Sequence, residues 1–234
     1  MFALDNPAWF ALGGRQARLG LGAGAARRFR PEFSPMGGLE NPEAEDLSAA
    51  FADLAGLKVE EDVTALVLPH AVEAPVGWEV KAAVPVPQYL HDGRRLPPPE
   101  FTVSELGPSD AGDMLSLATL TQPGPFRLRT GELGTYLGVR REGRLLAMAG
   151  ERLQPPGYTE VSAVCTHPEA VGQGLARGLV AAVVERIQAR GETAFLHVRP
   201  DNERAIRIYE QLGFVWRRDI HILVVSPQKW ILHP

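Results

Sequence analysis

The run Val161-Ser-Ala-Val-Cys-Thr-His-Pro-Glu-Ala-Val-Gly-Gln-Gly-Leu-Ala-Arg-Gly-Leu179 concentrates the chemistry of this chain. A strand ends at His167-Pro168, and a helix begins almost at once after glycines 172 and 174 and before the small Ala176. Small residues let backbone N–H groups approach an anion closely, and a helix N-terminus adds unpaired amides and the positive end of its dipole. A pyrophosphate fits such a loop. On this stretch alone, a plain strand-to-helix turn fits it equally well.

A second run, Leu196-His-Val-Arg-Pro-Asp-Asn-Glu-Arg-Ala-Ile-Arg-Ile-Tyr-Glu-Gln-Leu-Gly-Phe214, places Asn202 and Tyr209 seven residues apart on a predicted helix. At about 100° per residue the two fall on nearly the same face, two turns apart. Asn offers a donor and an acceptor and Tyr a hydroxyl, so both could line one elongated ligand.

These residues need a frame, and the surrounding pattern predicts one. Thr159–Thr166 reads as a strand, and Leu175, Leu179, Val183 and Ile187 give the next helix one apolar face ending at Arg190-Gly191. Ala194–Val198 reads as a buried strand, Asp201 as the cap of a helix running to Leu212, and Phe214–Trp216 and Asp219–Val225 as closing strands. Upstream, Phe101–Leu106 alternates like a strand, and Ser109 or Asp110 could cap a helix through Met114, Leu117 and Leu120. Gly134–Val139 and Leu145–Ala149 flank a hairpin-type turn at Arg140–Arg144. The triple proline of Leu96-Pro-Pro-Pro-Glu100 marks a connector, which gives domains at 1–96 and 101–225, a linker at 97–100 and a tail at 226–234.

Residues 1–96 read as mixed α and β, with helical spacing over 44–57 and strands at Thr64–Leu68 and Trp78–Val86, the latter closed by Pro85 and Pro87. The glycines of Gly20-Leu-Gly-Ala-Gly24 follow no strand, so they do not read as a nucleotide loop.

The two runs together resemble the GNAT superfamily of acyl-CoA-dependent N-acyltransferases. The resemblance extends from Phe101 to Val225 and rests on the element order, the His-Pro approach, the Gly-x-Gly-x-Ala core and the Asn-x6-Tyr-x3-Gly-Phe close. It implies an α/β (α+β) fold: a mixed, mostly antiparallel sheet flanked by helices and splayed where Thr159–Thr166 and Ala194–Val198 part. The N-terminal domain then reads as a degenerate second copy of that fold, a wall of the acceptor pocket or a dimerisation element. A homodimer stays open.

The resemblance also implies roles. The backbone of Val164, Cys165 and Thr166 would pair with the pantetheine arm, and Gly172, Gln173, Gly174, Leu175, Ala176 and Arg177 would hold the pyrophosphate of acetyl-CoA. Asn202 would touch the cofactor near the pantetheine, and Tyr209 would protonate the departing thiolate. The family loop usually begins with Arg or Gln, and this chain has Val171 there, which implies weakened rather than abolished affinity. Candidates for the base are Glu160, His197 and, third, Glu151, with a water relay as the alternative. Glu160 equally reads as an exposed strand-end carboxylate, His197 as a satisfied core histidine, and Glu151 as a surface carboxylate.

Composition narrows the rest. With 45% hydrophobic and 22% charged residues over 234 positions, the chain reads as globular, and its net charge of −4 argues against a nucleic-acid partner. The single cysteine, Cys165, excludes an intrachain disulfide and a cysteine-rich zinc site, and it sits mid-strand without an obvious base. His167 beside Pro168 reads as loop structure, and no His/Asp/Glu cluster has ligand spacing, so no metal is expected. With neither a signal-peptide pattern nor a spanning apolar run, a cytoplasmic protein without membrane contact is expected. Transfer of an acetyl group to a small-molecule or peptide amine is the expected activity, and a non-catalytic acyl-CoA-binding or sensing module is its rival.

Overall fold

A computed structural model describes residues 2–57 and 63–228. The expected C-terminal tail therefore lies outside the described residues from 229 onward. The chain forms two compact units. One comprises residues up to Pro87, the short stretch Gln154–Pro156 and residues from Arg218 onward; the other comprises Gln88–Leu153 and Gly157–Arg217.

In the first unit the helix α1 (Pro7–Leu12) precedes three short strands, β1 (Gly20–Ala23), β2 (Ala26–Phe29) and β3 (Met36–Leu39). The helix α2 (Ser48–Gly56) and strands β4 (Thr64–Leu68) and β5 (Trp78–His91) follow. Helix α2 is shorter than the 44–57 expected. Its Ala50, Phe51 and Leu54 bury against Leu39, Leu66 and Leu68, which explains the apolar spacing. Strand β4 has the predicted bounds and is buried at every position, as a strand with both faces covered must be.

Strand β5 runs past Pro85 and Pro87 to His91 rather than stopping at Val86. Glu79–Pro85 is exposed throughout, and prolines are tolerated in strands where no ladder bond is lost. The compact units consequently divide at Pro87/Gln88, inside β5, and not at the triple proline. Pro99 and Phe101 lie directly over Gly178, where an added Cβ would meet the Phe101 ring at 2.5 Å. Leu96, Phe101 and Val103 pack on the core of the second unit. The prolines thus cover a helix, and the segment is not a free linker.

In the second unit, β6 (Ser104–Leu106) is followed by α3 (Ala111–Thr121), then β7 (Tyr136–Arg141), β8 (Arg144–Glu151) and β9 (Tyr158–Thr166). The helix α4 (Leu175–Ala189), strand β10 (Thr193–His197), helix α5 (Glu203–Gln211) and strand β11 (Phe214–Pro227) complete the order. Strand β11 is continuous, where two closing strands were expected. Glu142 and Gly143 take positive φ at the β7–β8 turn, the conformation a two-residue hairpin of matching twist requires. Leu175, Leu179, Val183 and Ile187 are all buried in the core, and Gly191 ends α4 in the left-handed conformation.

Most strand pairs are antiparallel, and the exceptions include β3 with β4 and β9 with β10. The β9–β10 pairing holds only from Tyr158–Thr193 to Glu160–Phe195. Beyond it, Leu196 and His197 pair with Tyr89 and Gln88 of β5, while Val161 onward pairs with β8. The sheet is therefore splayed where the sequence led us to expect. A bulge in β9, with Ala163 at φ 51°, bends the strand at the splay.

Candidate active site

The loop from β9 into α4 begins with a 3-10 turn, Pro168–Ala170, whose amide at Glu169 donates to His167 Nδ1 at 3.3 Å. His167 is thus a loop cap, as its place beside Pro168 suggested. Gly172 and Gly174 both have positive φ, 88° and 73°. A Cβ at either would meet nothing within 4 Å, so the backbone conformation calls for glycine and the space above is open. The first bond of α4 runs from the Gly178 N–H to the Gly174 carbonyl at 3.0 Å, so the amides of Leu175, Ala176 and Arg177 precede the helical ladder. Val171 is exposed at the mouth of the loop.

The flanking side chains are partly committed. Gln173 Oε1 accepts from Arg141 at 2.6 Å and its amide donates to the Glu169 carbonyl, while Arg177 reaches Gln211. On β9, Val164 and Thr166 are half-buried and Cys165 is buried. The Thr166 hydroxyl oxygen is buried without a partner, an orphan on the segment expected to lie along a pantetheine arm. An extended ligand along this edge, ending in an anion at positions 172–177, fits the open strand edge, the empty glycine cradle and the orphan hydroxyl.

Asn202, not Asp201, caps α5: its Oδ1 accepts from the Ala205 N–H at 3.2 Å. Asp201 is held instead by Arg199. Asn202 is exposed and its amide nitrogen is turned to no partner in the cap, whereas Tyr209 is buried, edge-on to Phe214. Burial, with a smaller contribution from nearby Cys165, pushes the Tyr209 phenol up to about 12. It therefore keeps its proton at neutral pH, the state a general acid needs. Burial also pushes the Cys165 thiol up to about 11, which removes it as a nucleophile.

Glu160 and Glu151 are buried, and His197 is half-buried as a residue with its side chain turned inward. Glu160 is wholly inaccessible, the opposite of an exposed strand end, and Arg152 grips it with two hydrogen bonds of 2.9 and 2.6 Å. His197 Nδ1 lies 2.6 Å from the same carboxylate. Burial alone would raise the Glu160 pKa; the Arg152 guanidinium and then His197 override it and hold the group far below the carboxylate range. An ionised carboxylate only accepts, so His197 Nδ1 donates to Glu160. Gln88 Oε1 accepts from Arg217 at 2.7 Å, which turns its amide nitrogen toward His197 Nε2 at 3.0 Å. Both imidazole nitrogens are thus engaged, the satisfied core histidine among the readings the sequence left open. Glu151 is buried too, bound by Arg190 at 2.8 Å and by the Thr135 amide, and is no surface carboxylate.

Arg152, Tyr136, Gln88 and Arg217 complete this region and went unnoticed in the sequence. Gln88 and Arg217 become meaningful only through partners distant in the chain, and Arg152 through Glu160 on the next strand. Burial raises the Tyr136 phenol far above its ordinary value despite the nearby Arg152, and its hydroxyl has no hydrogen-bond partner. Among the described residues no group of three or more His, Cys, Asp or Glu could hold a metal, and no helix is long and apolar enough to cross a membrane.

A mixed sheet splayed beside a glycine-built helix N-terminus defines an acyltransferase-type fold, and the comparisons agree. The FR47-like protein family matches residues 136–221. A solved structure from Novosphingobium aromaticivorans, described as a GNAT-family candidate acetyltransferase, superposes with a TM-score of 0.88 at 38% identity. It covers 98% of this chain and 100% of that one. This chain belongs to the GNAT family. A GCN5-related N-acetyltransferase from Kribbella flavida shares the fold, with a TM-score of 0.60, 20% identity and coverage of 93% and 91%. A mycothiol acetyltransferase of Paenarthrobacter aurescens is 37% identical over 94 residues, which are 37% of this chain and 29% of that protein. The chain thus spans less than a third of that relative's length.

Proposed function

We propose that the chain is an N-acetyltransferase that moves an acetyl group from acetyl-CoA to a primary amine by direct attack. The observation that carries this reading is the open cradle at Gly172 and Gly174, lying at the head of α4 and in line with the free edge of β9. Acetyl-CoA, when bound, supplies the thioester that the amine attacks. The amides from Gly172 to Arg177 hold its phosphates, and the backbone of Val164–Thr166 orients its arm along the splay. Asn202 contributes its amide nitrogen near the arm. Tyr209 holds a proton at its hydroxyl for the departing thiolate, so that a C–N bond forms as the C–S bond breaks.

Glu160 and His197 serve here as a fixed pair at the root of the splay. Each is bound on the atoms a base would use, so the amine's proton leaves to water. The free thiol of Cys165 suits a reducing cytoplasm.

The test is turnover. Acetyl-CoA mixed with a panel of amines should release free CoA thiol only when an amine is present, with acetylated product detected by mass. Binding of acetyl-CoA without transfer to any amine would support a non-catalytic acyl-CoA module instead.

A further inference from the structure

Tyr209, which in the transferase reading protonates the departing thiolate, lies on a helix whose far end is tied to another element. Helix α5 stops at Leu212, and Gly213 turns the chain away in the left-handed conformation at φ 87°. The last carbonyls of a helix have no partner within it. The Leu212 carbonyl finds one in buried His91, the last residue of β5, whose Nε2 lies 2.9 Å away. One residue on, the Asp92 N–H donates to the Gly213 carbonyl at 2.9 Å.

The neighbours of His91 fix its protonation. A backbone N–H can only donate and a carbonyl can only accept. The Gly93 N–H meets Nδ1 at 3.1 Å, so Nδ1 is an acceptor and Nε2 carries the proton it gives to Leu212. The Gln188 amide nitrogen of α4 approaches the same Nδ1 at 3.4 Å and is a donor too. A second proton on the ring would therefore meet two donors. The charged groups at the ring are Asp92 and Arg94 of its own segment, bound to each other at 2.8 and 3.1 Å. Against it α4 presents the uncharged Gln188, α5 the Leu212 carbonyl and β11 the Phe214 ring. Burial lowers the His91 pKa from its ordinary 6.5 and outweighs the opposite pull of the Leu212 carbonyl and Asp92.

The imidazole also enters a stack that leads to Tyr209. It stands edge-on to Phe214 with centroids 5.1 Å apart, and Phe214 stands edge-on to Tyr209 at 5.9 Å. The Tyr209 carbonyl, in turn, accepts from the Leu212 N–H at 3.0 Å. Two routes, one through backbone and one through rings, thus run from His91 to the proposed acid. The phosphate loop takes no part. It opens the other end of α4, where Gly174 precedes Gln188 by 14 residues, roughly 20 Å along the helix.

Resting on the transferase reading, we propose that neutral His91 is a positioning residue for Tyr209, holding the end of α5 through Leu212 and the phenol ring through Phe214. The sign of its pH dependence follows. The neutral ring is the working form, so kcat falls as pH drops through a value below 6.5 and the ring gains its second proton.

A double-mutant cycle tests this. Turnover is measured at saturating acetyl-CoA with the fastest acceptor among glycinamide, propylamine, spermidine and Nα-acetyl-lysinamide. The proteins are the wild type, His91→Leu, Tyr209→Phe and the double variant. His91→Leu should lower kcat by roughly tenfold to a hundredfold, the loss that a misplacement within about 1 Å brings. Calorimetric affinity for acetyl-CoA should stay at the wild-type value. In the Tyr209→Phe background the same replacement should cost nothing further, because the group it positions is gone. His91→Gln keeps a donor for Leu212 and cannot titrate, so it should recover most of the turnover and lose the acid limb. If His91→Leu does not fold, the pH profile of His91→Gln decides alone. A loss of equal fold in both backgrounds, or one shared by acetyl-CoA affinity, makes His91 merely structural and overturns the inference while the transferase reading stands. An acid limb absent from the wild type, or surviving in His91→Gln, does the same. Unchanged turnover in Tyr209→Phe removes the acid, and transfer to no acceptor removes the transferase reading; either takes the inference with it.

Discussion

Replacing Tyr209 with Phe is expected to lower kcat about 10²- to 10⁴-fold, the usual contribution of a positioned general acid. The affinity for acetyl-CoA should barely change, because the variant removes one oxygen and leaves the ring against Phe214. Burial holds the phenol up to about 12, so the group is protonated throughout the neutral range. It also lies near enough to Cys165, on the strand along which the thioester would run, to feel its charge. The variant loses a stabilisation that exists only as the C–S bond breaks, so kcat and kcat/KM should fall together. Steady-state kinetics with a saturating amine check this, and unchanged turnover would remove Tyr209 from the chemistry.

The second large effect concerns stability. Arg152→Met should destabilise the fold by about 3–5 kcal/mol at pH 7, because it leaves a buried carboxylate held by His197 and the Leu153 amide without its charged partner. The double variant Arg152→Met/Glu160→Gln should recover most of that loss, since no charge is then left behind. The pH dependence has a definite sign. In the wild type the Glu160 pKa is depressed, so the stability it contributes is fully present above its unfolded value near 4.5 and is lost as pH falls below that. In Arg152→Met burial prevails and raises the same group, so the variant regains stability as the medium is acidified and the gap to wild type narrows. Urea titrations at pH 7 and pH 4 measure both. A gap that is constant with pH would mean that the Arg152–Glu160 pair does not govern this part of the core.

How much of this was legible in the sequence depended on the range of the interaction. Strand β4 was readable at its exact bounds because its burial is a local run of apolar residues. The same holds for the face of α4, where four-residue spacing alone places Leu175, Leu179, Val183 and Ile187 inward. The glycine loop was readable because positive φ is a backbone property that glycine signals locally. The triple proline misled as a domain boundary because punctuation reports only that the chain is extended. It does not report that Pro99 and Phe101 cover Gly178.

Glu160 and His197 were found as residues, but their state was not. The pairing of Glu160 with Arg152 spans eight positions, and that of His197 with Gln88 spans 109. No pattern in one sequence encodes such a contact, and so two candidate bases emerge as a bound pair. Tyr136 was invisible for a related reason: an unpartnered hydroxyl is defined by what does not surround it.

The central claim is that acyl-CoA lies on the loop from Gly172 to Arg177, and calorimetric titration with acetyl-CoA tests it most directly. The wild type should bind with a single site in the micromolar range. Gly174→Trp should abolish binding, because its ring would occupy the open space over a left-handed glycine at φ 73°. The left-handed backbone strains the loop at this position, but a Cβ there meets no atom within 4 Å, so circular dichroism should show that the fold itself survives. Equal binding by the folded variant and the wild type would contradict the account and place the cofactor elsewhere. No binding by the wild type would leave a GNAT fold whose exposed Val171 marks a loop that no longer holds phosphate.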